Sequence, residues 1–181
     1  MTSVLPLQAI ACGLIVVLFD FNVGIDLVPD PLGWAAVCYG AGRLPAAFGQ
    51  RSALVALAAV AGAISVLQWI PGLSLELGGP AGILVWLLAL PDLAFYATLA
   101  VGMRGAAIGA GDPSAAKWWE RVLVGLVLAV LLLLMVYSTE AFALGVLAVV
   151  TAIGTAITIV VLCFRHARRP WIDGPLAPAD R

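Results

Sequence analysis

The chain has 181 residues, of which 64% are apolar and only 10% are charged, with a formal net charge of −1 and a mean hydropathy of +1.13. Soluble domains are about 45–50% apolar and about 25% charged. A water-facing exterior is therefore excluded, and a lipid-facing one is the direct reading. Without a large basic patch, nucleic acid is excluded as a partner.

Basic residues are nearly all Arg, and Ala, Leu, Val and Gly dominate, the composition of a high-GC bacterial genome. Cys12, Cys38 and Cys163 each lie inside an apolar run. There Cys behaves as a small hydrophobe, and no spacing suggests zinc or a disulfide framework. Ala9-Ile10-Ala11-Cys12 is a poor lipoprotein box, because Ala9 stands where Leu is usual, and no basic region opens a signal peptide.

Six apolar segments follow in order, at residues 4–22, 31–48, 53–74, 81–103, 119–138 and 141–164. About 20 apolar residues span the hydrocarbon core as a helix, and unpaired backbone is not tolerated there. The expected fold is an all-α integral membrane protein, a six-helix transmembrane bundle. Residues 165–181 are expected to be a disordered cytoplasmic tail, basic and containing proline, with His166 solvated.

Charge sets the orientation. With the N-terminus inside, the outer loops hold Asp20, Asp26, Asp30, Glu76 and Glu140, and all nine Lys and Arg fall inside. Both termini are then cytoplasmic, and the location is the bacterial plasma membrane. The tryptophans agree with interfacial belts, with Trp34, Trp69 and Trp86 near the outer face and Trp118, Trp119 and Trp171 near the inner one.

The second segment is short, with 13 residues from Pro31 to Arg43, about 20 Å of helix. Two readings are open. Either Arg43 snorkels and the helix continues past it, or residues 20–34 dip into the outer leaflet. The second is preferred. Segments three and six carry small residues four apart, Ala58 with Gly62, Ala61 with Ser65, Thr151 with Thr155 and Ala152 with Ala156. This spacing permits close helix approach but is common in any Ala-rich helix.

Candidate chemistry gathers at residues 19–34, where Asp20, Asn22, Asp26, Pro29, Asp30, Gly33 and Trp34 interrupt the apolar pattern. The spacing of Asp20, Asn22 and Asp26 departs from a calcium loop, since Gly24 is one place early and Pro31 stands where a Glu is needed. No metal or cofactor is assigned. Asp92 follows Pro91 in the middle of segment four, with Tyr96 one turn on. An intramembrane carboxylate is costly and marks either an ion or proton site or an interhelical hydrogen bond. No GxGD-type pair, HExxH, P-loop or Ser/His/Asp set is present, so no catalytic residue is assigned.

The run Asp20, Ile25-Asp26-Leu27-Val28-Pro29-Asp30 and Gly33-Trp34 resembles the D…DLxPDxxG(W/Y) motif between the first two helices of an uncharacterised family of small bacterial multispanning membrane proteins. Pro31 departs from that pattern. The resemblance implies the fold and the membrane location but no activity. The expected function is thus a non-enzymatic accessory or structural membrane protein. The alternative is a small cation- or proton-coupled transporter or channel using Asp20, Asp26, Asp30 and Asp92, with an intramembrane enzyme third. Expected partners are the bilayer, a membrane protein or a second copy, and anionic lipid at Arg165, Arg168 and Arg169.

Overall fold

The computed structural model describes residues 5–18, 30–45, 48–69, 87–139 and 142–173. These residues are helical apart from short connections. The helices are α1 (Pro6–Leu18), α2 (Asp30–Gly42), α3 (Arg51–Trp69), α4 (Leu90–Gly109), α5 (Pro113–Thr139), α6 (Phe142–His166) and the short α7 (Pro170–Asp173). Among the described residues, three helices are long and apolar enough to cross a membrane: α3, α5 and α6.

Each helix from α1 to α6 packs on the next, and α6 returns to α1. The six therefore close into a ring around one apolar core. Leu7, Ile10, Trp34, Leu54, Phe95, Leu99, Met103, Trp119 and Ile159 are almost fully buried there. The outward faces are apolar too. Val124 and Val127 on α5 are 63% and 60% exposed, and Val150 on α6 is 60% exposed. Contiguous exposed apolar surface of this extent marks lipid or partner contact.

Local chemistry sets the helix ends. Prolines open α1, α5 and α7, and one follows Asp30 at the start of α2, because the first turn has no use for the missing N–H. The joint between α4 and α5 is the most fully specified. Gly111 has φ +70°. Its N–H donates to the Ile108 carbonyl, and the Asp112 N–H donates to the Ala107 carbonyl, the paired bonds of a Schellman stop. Asp112 then caps the next helix, its Oδ1 accepting from the Ala115 N–H at 3.0 Å. As a result α5 begins at Pro113, six residues before the apolar segment that starts at residue 119.

Neighbouring helices run antiparallel. Gly33 of α2 faces Gly13 of α1, where an added methyl group would stand 2.8 Å from the Gly13 carbonyl oxygen. At the other end, a methyl group on Gly40 would stand 2.7 Å from the Pro6 carbonyl oxygen. This hairpin closes only because both positions lack a Cβ. Trp34 then lies on Gly62 of α3, and Cys38 Sγ reaches the Val55 carbonyl at 3.9 Å. Arg104 of α4 meets Glu120 of α5, and Gly125 of α5 meets Thr155 of α6. In this register Asp30 and Asp92 lie at one end of the bundle. Arg43, Arg51, Arg104, Lys117, Arg121 and the arginines following α6 lie at the other.

Trp34 and Trp119, 2% and 0% exposed, pack into the core between helices. Two sequence expectations need correction. His166 is not solvated, being 2% exposed. Order also continues beyond residue 165, because α6 runs through His166 and the chain turns back into α7.

Candidate functional site

The acidic end is built from the first turns of two helices. Asp30 is the first residue of α2. Asp92 lies in the first turn of α4, with Pro91 beside it at the helix start. Residues 87 and 88 are helical and residue 89 is a turn, so α4 starts afresh at Leu90. Asp92 is thus not mid-helix, as the apolar run of residues 81–103 implied. Pro91 has no N–H to continue the earlier ladder, and the new N-terminus falls beneath the carboxylate. Helix N-termini favour negative charge, and Asp30 and Asp92 both occupy such positions.

An aromatic chain ties the two turns together. The Trp34 ring stands edge-on to Phe95, with centroids 5.5 Å apart and planes at 87°. Phe95 in turn stands edge-on to Tyr96 at 6.1 Å and 76°. Tyr96 lies one helical turn after Asp92. Trp34 likewise lies one helical turn after Asp30, so the aromatic chain joins the two first turns that carry the carboxylates. The structure thereby brings together Asp30, Trp34, Asp92 and Tyr96, four residues that the sequence singles out in two separate segments. Gly33 serves the helix contact with α1 instead. Asp20, Asn22, Asp26 and Pro29 lie outside the described residues, and so does most of the stretch expected to dip into the outer leaflet. Two carboxylates and a phenol at one end of the bundle are the kinds of group that a proton or cation site uses. Among the described residues, no three His, Cys, Asp or Glu side chains gather as a metal site.

The opposite end carries a cluster that sequence reasoning missed. His166 sits between Trp119 and Trp171, with ring centroids 6.0 and 5.7 Å away. Arg169 Nη1 lies 3.6 Å from Asp112 Oδ2, and the Arg169 N–H donates to the His166 carbonyl. Trp171 packs over Ala107, Ala115 and Ala116, and Ile172 is 1% exposed. The signal available in the sequence was Pro170-Trp171-Ile172 after the arginines, a proline start followed by two apolar side chains, together with Asp112-Pro113 across the bundle.

These features define an all-helical protein with the surface of a membrane-associated one. Comparison with family models, with curated proteins and with solved structures gave no match to this chain.

Proposed function

We propose that this chain is a multi-pass protein of the bacterial cytoplasmic membrane that crosses six times with both termini inside. In this reading it catalyses no reaction and serves as an accessory or structural membrane protein. The observation that carries the reading is the closed ring of six helices, apolar outside and filled inside by Trp34, Phe95 and Trp119. A packed core of this kind favours a scaffold over a conduit.

Charge supports the orientation. The chain has nine Lys and Arg; setting aside Arg181, which lies outside the described residues, the other eight gather at the end opposite Asp30 and Asp92. Basic residues favour the cytoplasmic side. The bilayer is then the first partner, with anionic headgroups within reach of Arg165 and Arg168. Arg169 shares its charge with Asp112. An accessory role further requires a membrane-protein partner or a second copy, met through the exposed faces of α5 and α6.

The meeting of Asp30, Asp92 and Tyr96 favours a second reading, a proton- or cation-coupled transporter with Asp20 and Asp26 completing the path. Reconstitution in vesicles carrying a pH- or cation-sensitive dye separates the two. The accessory reading expects no flux above protein-free vesicles. Flux that disappears in Asp92→Asn replaces it with the transporter reading. Orientation is tested by a reporter fused after Arg181, which is expected to act only from the cytoplasm; activity from outside overturns the topology.

A further inference from the structure

A groove of about 610 Å³ runs along the outside of the bundle at its basic end. Its polar part is Arg51 and Ser52, at the start of α3. Its apolar part is Val55, Ala56 and Ala59, one and two turns further along the same helix. The groove exists because these side chains are small on an exposed face, while Phe48 turns inward and is 7% exposed. From Arg51 to Ala59 the helix rises about 12 Å. Polarity therefore falls along the helix axis, from a guanidinium at the end of the bundle to bare Ala surface toward its middle.

We propose that this groove is a binding site for one anionic phospholipid, with the headgroup phosphate at Arg51 and Ser52 and an acyl chain along Val55, Ala56 and Ala59. The inference rests on the membrane-spanning reading above and places the lipid where sequence reasoning did not. Charge complementarity selects the occupant. Arg51 is the only charged side chain lining the groove, and among the described residues it has no acidic partner. The described ion pairs occupy Arg104 and Arg169, and Arg43 is engaged by the ring and hydroxyl of Tyr39. Arg51 is thus left unmatched, to face an external anion. A guanidinium forks well onto phosphate oxygens, and the Ser52 hydroxyl adds a donor. A zwitterionic lipid offers the same tails without net charge. A partner helix would fill the apolar part and leave Arg51 unmatched.

The test uses the full chain extracted in mild detergent and measured by native mass spectrometry. Phosphatidylglycerol and phosphatidylcholine of identical acyl chains compete for it. One phosphatidylglycerol is expected to be retained with a preference of roughly fivefold, the contribution of one charge near a headgroup. Arg51→Gln brings the preference to near parity, and Arg51→Lys keeps most of it. Ala59→Phe, which fills the apolar part, lowers retention of both lipids. Arg121→Gln, at the same end of the bundle but stacked on Trp118, leaves the preference unchanged. The proposal is overturned if Arg51→Gln retains the preference, or if Arg121→Gln removes it equally. A chain released from membranes by alkaline carbonate without detergent would instead overturn the membrane-spanning reading itself.

Discussion

The two ends of the bundle solve the same problem in opposite ways. At the acidic end, Asp30 and Asp92 sit on the first turns of two helices, and Trp34, Phe95 and Tyr96 form an edge-to-face chain beside them. At the basic end, Asp112 holds the start of α5 and the arginine that follows α6, while Trp119, His166 and Trp171 pack together. Both ends combine carboxylates at helix starts with buried aromatics. The difference lies in what closes each. The acidic end joins residues of α2 and α4, whereas the basic end is closed by the chain after α6 folding back over the α4–α5 joint. The first is organised around charge, and the proposed transporter alternative rests on it. The second is a structural clasp.

That contrast can be broken in order of expected effect. Gly33→Leu forces a side chain into the Gly13 carbonyl and is expected to cost about 3 kcal/mol or more, seen as loss of monodisperse protein in detergent. Gly105→Ala, where a methyl group meets nothing within 4 Å, is expected to be neutral or stabilising by up to about 1 kcal/mol. Equal behaviour of the two variants would remove the close α1–α2 packing from the account.

Truncating the aromatic of either end has an effect of similar size. Trp34→Ala and Trp119→Ala are each expected to cost about 3–5 kcal/mol, read as thermal unfolding in detergent. Trp34→Ala also frees Phe95. If cation or proton binding is present, it is expected to change in Trp34→Ala and not in Trp119→Ala. The reverse outcome would move the binding chemistry to the basic end.

Asp112 separates capping from ion pairing. Asp112→Ala is expected to lose about 1–2 kcal/mol and to shift Trp171 fluorescence as the C-terminal segment loosens. Asp112→Asn keeps most of the cap and loses only the Arg169 pair, about 0–1 kcal/mol. An Asn variant as damaged as the Ala variant would show that the ion pair, not the cap, closes this end. The smallest effect belongs to Arg104→Ala. Its pair with Glu120 spans 3.9 Å between side chains 42% and 59% exposed, and it is expected to change stability by less than about 0.5 kcal/mol.

Much of the acidic end was legible from residue types alone. Asp30, Trp34, Asp92 and Tyr96 stand out in an apolar chain because a carboxylate or phenol in such surroundings needs a reason. Their meeting was not legible, since it depends on Pro91 restarting a helix beside the N-terminus of α2. Of the small-residue pairs, Ala58, Gly62 and Thr155 lie at helix contacts, whereas Ala152 is exposed. That spacing passed over Gly13, Gly33 and Gly40, whose importance comes from the partner backbone opposite them. His166 was misread because a histidine among arginines resembles a solvated tail until Trp171 is seen to fold back over it.

By itself the sequence determined the helical class and the apolar exterior. These follow from hydropathy and backbone chemistry, which act within a few residues of one another. Tertiary structure decided which helices are neighbours, that the ring closes from α6 to α1, and which polar groups share an end. It also decided that Trp34 and Trp119 belong to the core. Those outcomes depend on close approach between segments tens of residues apart, and a one-dimensional pattern carries no record of it.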